Sequence, residues 1–234
     1  MNDELYKSIF MSKPFELNYD KFIFEISVKK REAQHYVKCS FRNRGDFREA
    51  YKAIFNFFNE LVWFYQTIVS DVNGGHSQGS HIGLNYQINT DSYLLDFKQQ
   101  VFEERQHLAL VFYREAQCNE SPYYRFFCFH KILEMPFKRG VGKKEWFENS
   151  IAGLKTDLAK NARNRLSKQL HNKSLADWLY ENGRHAIAHA RLDDESTIDP
   201  NDYGDWEEIK WANVIMQELA ESTIVEKAGI RHYA

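Results

Sequence analysis

Two arginines and two histidines are concentrated in residues 184–191, where the intervening residues are alanine and isoleucine. A histidine can take up or release a proton near neutral pH, because an unperturbed imidazole titrates at about 6.5. An arginine is always charged and can bind phosphate oxygens through two donors. The residue types in this histidine–arginine segment therefore suit proton transfer next to an anionic group.

The histidine–arginine segment is expected to lie on a helix. Ser174 can cap free backbone N–H groups, and an acidic residue follows three positions later, which is a conservative variant of the capping box. The pattern predicts a helix over residues 175–191. On that helix His185 and His189 are four residues apart and share one face, while Arg184 lies on its flank.

The spacing of the arginine and the second histidine resembles a known ribonuclease motif, that of the HEPN superfamily. The motif has an arginine, four further residues and a histidine, with a polar residue directly after the arginine. Arg184, His185 and His189 fill these positions. Arg125 and His130 match the spacing too, but their spacer is mainly aromatic and no polar residue follows the arginine. We interpret this second match as chance on a packed helix.

Four stretches together resemble the family of the methylamine-utilisation protein MauJ. They are residues 108–116, 124–134, 184–190 and 199–202. The resemblance is good over residues 91–234 and less specific before them. It implies an α+β protein, mainly α-helical, with a HEPN-like helical bundle over residues 91–234. Residues 1–90 would form a small N-terminal α/β domain built from a β-hairpin and a long helix.

The resemblance also implies an activity, metal-independent RNA cleavage in which the ribose 2'-hydroxyl attacks the adjacent phosphorus. His189 would transfer the proton, Arg184 would neutralise the phosphorane charge, and His185 would orient the phosphate or share the proton transfer. One copy of this set is sparse, so we expect a homodimer that places two copies across a cleft. No metal or cofactor is expected. Such an endoribonuclease would act as a toxin or antiphage-defence effector, controlled by an antitoxin or regulatory protein.

Two other interpretations of the segment stay open. The first is a catalytically inert HEPN-like module that binds a partner protein or RNA without cutting it. The second is a metal site, because histidines four apart on a helix can both bind zinc. Its third ligand would come from His171, Asp199 or Asp202, and no spacing selects among them.

The charge distribution favours RNA contacts just before the segment. The net charge of −2 argues against a protein that coats nucleic acid, but residues 138–173 carry ten Lys or Arg against three acids. A basic helix face can follow an RNA backbone, and a solvated face explains the same pattern equally well. The candidate RNA-binding residues are Lys160, Arg163, Arg165, Lys168 and Arg191.

The composition is that of a globular protein, with 43% apolar and 27% charged residues among 234. The cysteines Cys39, Cys118 and Cys128 are odd in number and lack metal-ligand spacing, which fits reduced thiols in a cytoplasm. The first residues do not resemble a signal peptide, and no apolar run is long enough to span a membrane. We therefore expect a cytoplasmic protein with no membrane partner.

Periodicity places the remaining elements. Apolar residues alternate over residues 21–28 and 35–41, which predicts a hairpin, and no element is predicted for residues 1–20. A long helix is expected over residues 46–70, a break over 73–80 and a short strand over 81–88. The domain boundary should lie between residues 71 and 92. The further predicted helices cover residues 93–117, 122–135, 144–171 and 206–228, besides the one over 175–191.

Overall fold

The computed structural model describes residues 14–29, 34–77, 80–88, 97–137, 142–170, 174–182, 199 and 201–232. Its chain forms two compact units that divide between Phe102 and Glu103. The boundary expected at residue 90 falls in residues 89–96, outside the described residues. The described elements make an α+β protein that is mainly α-helical.

The first unit combines an antiparallel sheet with one long helix. The strands are β1 Phe15–Tyr19, β2 Phe22–Lys29, β3 Gln34–Ser40, β4 Val69–Ser77 and β5 His81–Ile88, and helix α1 is Phe47–Phe64. The strand order is β1-β2-β3-β5-β4. The predicted hairpin of β2 and β3 and the predicted strand β5 are confirmed. Strand β1 lies where the sequence pattern predicts no element.

The core of this unit follows from the period of two residues in its strands and of about 3.6 residues in its helix. Successive strand side chains point to opposite faces, so Phe24 of β2 is buried whereas its neighbour Ile23 is 51% exposed. Helix α1 covers the inner face of the sheet with aromatic side chains. The Phe57 ring lies 5.7 Å from that of Phe24, and the Phe58 ring 4.9 Å from that of Tyr86 in β5. Such ring pairs add stability beyond their buried area.

Strand β4 contradicts two predictions, a helix that continues to residue 70 and a break over residues 73–80. Helix α1 ends at Phe64, and Gln66 adopts a left-handed backbone with φ of 51° that cannot continue the helix. Strand β4 then runs through the glycine-rich stretch. Its register against β5 shifts between Ser70 and Asn73 and again between Gly74 and His76. Bulges of this kind explain why glycine occurs inside a strand.

A buried carboxyl group lies between the sheet and α1. Glu60 is 1% exposed, and its two oxygens accept hydrogen bonds from the Tyr19 hydroxyl at 2.5 Å and from the Gln100 backbone N–H at 3.0 Å. Burial raises the pKa of Glu60 to about 7, although both hydrogen bonds lower it. Two further hydrogen bonds join Gln99 and Asp20, so residues 99 and 100 are held in place within the first unit.

The second unit is helical. Its helices are α2 Glu104–Cys118, α3 Pro122–Glu134, α4 Lys143–Ala152, α5 Asp157–Gln169, α6 Leu175–Asp177 and α7 Tyr203–Glu226. Helix α6 continues directly into a π-helical turn, Trp178–Asn182. Helix α7 packs against α3 and α5, and α2 packs against α3. Large side chains such as Phe126 and Phe129 of α3 and Met216 of α7 are fully buried between these helices.

One predicted helix, over residues 144–171, is two helices in the structure. Helix α4 ends at Gly153 as its C-cap, and α5 begins after Thr156, whose side chain accepts from the Ala159 N–H. Glu218 of α7 accepts from the Thr156 N–H at 3.1 Å and from its hydroxyl at 2.5 Å. Long-range hydrogen bonds to α7 therefore stabilise the break. The helix predicted over residues 93–117 starts only at Glu104, where a capping box closes its first turn.

Replacing Glu218 with alanine should lower the free energy of unfolding by about 1–2 kcal/mol, because it leaves the Lys155 and Thr156 N–H groups, directly before α5, without their charged acceptor. Urea unfolding at pH 7 measures the change. Glu226→Ala is the matched control, since Glu226 ends the same helix and is exposed. Equal effects of the two substitutions would contradict the proposed role of Glu218.

Candidate functional site

The predicted catalytic residues Arg184, His185 and His189, and the candidate RNA contact Arg191, lie outside the described residues. Their assignments stay predictions. The structure does show the chain that leads to them, as far as Asn182, and the helices against which that chain packs.

The predicted start of the helix is confirmed at Ser174, whose side chain accepts from the Asp177 N–H at 3.5 Å. The backbone then changes from α-helical to π-helical at Trp178. Trp178 is 7% exposed and Leu179 is fully buried. The turn that precedes the histidine–arginine segment is therefore part of the core of the helical unit.

Two helices hold this turn by polar contacts. From α3, His130 Nε2 lies 3.3 Å from the Tyr180 carbonyl oxygen, and the two rings stack with centroids 6.2 Å apart. From α4, Lys144 Nζ lies 2.6 Å from an Asp177 carboxylate oxygen. The Phe147 ring of α4 also lies 5.8 Å from that of Tyr180. The position of the chain up to residue 182 is thus set by α3 and α4 together.

Glu134, at the end of α3, orients the His130 ring. One Glu134 carboxylate oxygen lies 3.7 Å from His130 Nδ1, and the other lies 3.4 Å from Lys131 Nζ. Both ring nitrogens of His130 therefore face oxygens that can only accept, so each contact is favourable when its own nitrogen carries a proton. The two contacts hold the ring in one orientation.

Arg125 and His130, the second match to the arginine–histidine spacing, do not form a catalytic pair. Both are on α3. His130 is 2% exposed. The interpretation of this match as a packed helix agrees with the structure. Sequence patterns do not reveal the contact of His130 with Tyr180, because the two residues are 50 positions apart.

Four of the candidate RNA-binding residues are on α5, and three of them have partners within the protein. Lys160 Nζ lies 3.8 Å from an Asp157 carboxylate oxygen, and Arg163 donates to the Ile151 carbonyl oxygen at 3.4 Å. Arg165 pairs with Glu207 at 2.7 Å, and its guanidinium lies 4.9 Å from the Trp211 ring centroid.

Lys168 is exposed and forms no ion pair with another described residue. Helical geometry spreads the four side chains over about 200° of the helix circumference. They do not form a single basic stripe, so a nucleic acid that followed α5 could not contact all four at once.

The aspartates at residues 199 and 202 accept hydrogen bonds in a turn directly before α7. The Asp199 carboxylate accepts from the Asn201 N–H at 2.9 Å, and Asp202 caps α7 by accepting from the Asp205 N–H at 3.0 Å. Asp205 in turn accepts from the Asp199 N–H at 2.7 Å. These carboxylates thus have structural roles. Within the described ranges, no group of three His, Cys, Asp or Glu side chains could hold a metal ion.

Neither of the two buried cysteines, Cys39 and Cys128, has an activated thiol. All three cysteines are free. Burial raises the pKa of Cys39 to about 12 and that of Cys128 to about 11. A nucleophilic cysteine needs a lowered pKa, so neither thiol is suited to attack. Across the residues that the structure describes, no helix has both the length and the apolar character needed to cross a bilayer.

The fold and this site define the class of protein: an α+β chain whose helical unit carries the histidine–arginine segment directly after a buried turn. The model of one family, described as methylamine utilization protein MauJ, matches residues 109–225, half of the chain. The chain belongs to this family. Searches of curated proteins and of solved structures found no match. The matched residues lie within the helical unit and include the histidine–arginine segment.

Proposed function

We propose that this protein is a HEPN-type endoribonuclease that cleaves RNA without a metal ion. The observation that carries the proposal is the spacing of Arg184 and His189 inside the part of the chain that defines its family. The fixed turn before residue 184 supports it further, because a catalytic pair needs a rigid support. As an endoribonuclease of this type, the protein would serve as a toxin or antiphage-defence effector in the cytoplasm, with an antitoxin or regulatory protein as partner.

The reaction needs few groups. A base removes the proton of the ribose 2'-hydroxyl, the oxygen attacks the adjacent phosphorus, and the 5'-oxygen leaves with a proton. The products are a 2',3'-cyclic phosphate and a 5'-hydroxyl. His189 transfers a proton in this scheme, and Arg184 binds the phosphorane oxygens as their negative charge develops. His185 orients the scissile phosphate or shares the proton transfer.

The proposed enzyme is a homodimer. One copy of the predicted catalytic set, Arg184, His185 and His189, is sparse for a reaction that combines proton transfer with charge stabilisation around one phosphate. In an isologous dimer the same segment of both chains lines one cleft. The cleft would then present two copies of Arg184 and His189 to the RNA.

A second candidate function is a binding module that holds RNA or a partner protein without cutting it. The contacts of α5 favour the form that binds a partner protein, because Arg163 and Arg165 are used within the protein and are not free to neutralise phosphates. Both candidates require the same fold. They differ only in whether Arg184 and His189 reach a scissile phosphate.

The deciding experiment incubates purified protein in EDTA with a pool of single-stranded and structured RNA. Wild type should produce fragments with 2',3'-cyclic phosphate ends, and Arg184→Ala should lose about 10²- to 10³-fold in rate, the usual effect of removing one oxyanion donor. Arg231→Ala is the charge-matched control, since Arg231 is exposed and lies outside the segment. No cleavage by folded, dimeric wild type, or equal rates for wild type and Arg184→Ala, would reject the proposal.

A further inference from the structure

A cavity of about 330 Å³ lies between the first turn of α3 and helix α7. Helix α3 lines it with Pro122 and Arg125, and α7 lines it with side chains from Trp206 to Gln217. All of these residues belong to the helical unit. The volume is at the lower end of the range for small-molecule sites, about 300–1,000 Å³. The cavity is therefore large enough for a small ligand.

Two cationic side chains line the cavity, and neither forms an ion pair with another described residue. Arg125 of α3 is half-buried, and its Nε has no hydrogen-bond partner in the described part of the chain. Lys210 of α7 is exposed, and its Nζ lies 4.3 Å from the centroid of the Trp206 ring. A cation–π contact holds the ammonium group in place but does not neutralise its charge. Both positive charges can therefore attract an anion.

Asn213 is a buried polar residue at the same cavity, with a relative exposure of 6%. Its Nδ2 donates to the Pro122 carbonyl oxygen at 2.7 Å, so the orientation of the amide is fixed. Its Oδ1 is buried and, across the residues that the structure describes, accepts no hydrogen bond. Buried polar atoms in folded proteins are normally paired. The unpaired acceptor indicates that a ligand of this cavity carries a hydrogen-bond donor.

Acidic side chains limit the charge that the cavity can accept. Glu120 lines it together with the two cations, which leaves a single positive charge. Burial raises the pKa of the Tyr123 hydroxyl at the start of α3, and nearby negative charges raise it further. These charges belong to Asp205, Asp199 and Asp202. A monoanion therefore suits the cavity better than a dianion such as a phosphate monoester.

We propose that this cavity binds a small monocarboxylate that also carries an N–H donor and an apolar body. The carboxylate oxygens bind the Arg125 guanidinium and the Lys210 ammonium group. The N–H group donates to Asn213 Oδ1, and the apolar body packs against Pro122 and Val214. The site goes beyond the proposed RNA cleavage and does not depend on it, because none of its residues belongs to the histidine–arginine segment.

This ligand chemistry has two sources, a free N-acylated amino acid and the last residue of a peptide chain. Both combine a carboxylate, an amide N–H group and an apolar side chain. N-Acetylphenylalanine is the probe for the shared chemistry. Titration calorimetry with the full chain at pH 7 should give a Kd of about 1 mM or tighter, an affinity within reach of a ligand of this size. The absence of saturable binding overturns the proposal.

Analogues of the probe test its groups separately. N-Acetylphenylalaninamide lacks the negative charge, and O-acetyl phenyllactate has an oxygen in place of the N–H group. Each should bind roughly tenfold more weakly, because each leaves a charged or buried polar group of the protein unpaired. Phenyl phosphate, mainly a dianion at neutral pH, should also bind more weakly than the probe. Equal affinity of either analogue and the probe, or tighter binding of phenyl phosphate, overturns the proposed ligand class.

Arg125→Gln and Lys210→Gln test the two cations. Each should weaken binding of N-acetylphenylalanine roughly tenfold, because glutamine keeps a polar side chain without the charge. Arg231→Gln is the matched control, since Arg231 is exposed and does not line the cavity. Thermal unfolding verifies that each variant is folded. Unchanged affinity in either cavity variant, or an equal loss in Arg231→Gln, overturns the proposal.

An acetylated tripeptide that ends in phenylalanine distinguishes the two sources. Binding more than about tenfold tighter than that of the probe assigns the cavity to the end of a peptide chain, because the further residues then add contacts. Any weaker affinity assigns the cavity to a free acid. RNA cleavage in EDTA is measured separately, so a failure of the ribonuclease leaves the binding data unaffected.

Discussion

Replacing His189 with alanine should lower the rate of RNA cleavage in EDTA by about 10²- to 10⁴-fold, the contribution of one general acid or base. The physical reason is that no other group in the segment except His185 can exchange a proton at pH 7. Single-turnover cleavage of an end-labelled RNA measures the rate directly and excludes product release. Arg184→Ala should lose activity as well, but through charge stabilisation and not through proton transfer.

His81→Ala is the matched control for this prediction. His81 is on β5 of the first unit, so its loss removes an imidazole from a unit that does not carry the histidine–arginine segment. The control should cleave RNA at the wild-type rate. A His189→Ala variant that stays within about twofold of the control would contradict a catalytic role for His189, since even weak proton transfer catalysis contributes more.

Growth of cells that express the protein extends the same prediction. Wild type should slow growth if its activity makes it a toxin, and His189→Ala should not, at equal protein levels. Equal slowing by both proteins would remove catalysis as the cause of toxicity. The biochemical and cellular results are separable, because cleavage in EDTA does not depend on the presence of an antitoxin.

Local sequence signals predicted the parts of the structure that depend on neighbours in the chain. The alternation of apolar residues placed β2 and β3, because the period of a strand is two. Ser174 marked the start of its helix, since a hydroxyl before a helix satisfies N–H groups only a few residues away.

Contacts between distant residues could not be predicted in this way. The break between α4 and α5 depends on Glu218 of α7, which lies 62 positions from Thr156. His130 contacts Tyr180 over 50 positions. A sequence pattern reports which face of an element is apolar, but not which polar groups of two elements meet. The catalytic assignment of Arg184 and His189 remains a prediction from the motif.

Glu60 is an acidic residue within an apolar run of α1, and the sequence does not show how its charge is accommodated. Acidic side chains are almost never fully buried unless they are paired. Glu60 is buried because the Tyr19 hydroxyl and the Gln100 N–H satisfy its oxygens. Its partners lie 41 and 40 positions away, so the pairing appears only in the folded chain.

Glu60→Gln should make the first unit more stable at pH 8 by up to about 3 kcal/mol. A tenfold change in proton affinity is worth about 1.4 kcal/mol, and burial raises the pKa of Glu60 from 4.5 to about 7. The folded state therefore holds this proton more tightly than the unfolded chain. The contribution of wild-type Glu60 to stability is fully present below about pH 4.5 and is lost as the pH rises to about 7. Glutamine keeps a carbonyl for the Gln100 N–H and an amide for the Tyr19 oxygen, but it cannot ionise.

The measurement is a urea series between pH 4.5 and pH 8, read through hydrogen exchange of peptides from α1. All other titrating groups are shared by the two proteins, so the difference in their unfolding free energies isolates Glu60. Glu16→Gln is the control, since Glu16 is on β1 and exposed. Parallel curves for wild type and Glu60→Gln would show that Glu60 does not titrate in this range.

Tyr19→Phe tests the contribution of the Tyr19 hydroxyl, which lowers the pKa of Glu60 whereas burial raises it. The hydrogen bond from the Tyr19 hydroxyl lowers the pKa of Glu60, against the larger effect of burial. Removing the hydroxyl should therefore raise the pKa of Glu60 and extend the loss of stability to higher pH. Phenylalanine keeps the ring that stacks on Phe24 at 5.2 Å, so packing is preserved. If Tyr19→Phe lost stability at a lower pH than wild type, the Tyr19 hydroxyl would not stabilise the charged form of Glu60.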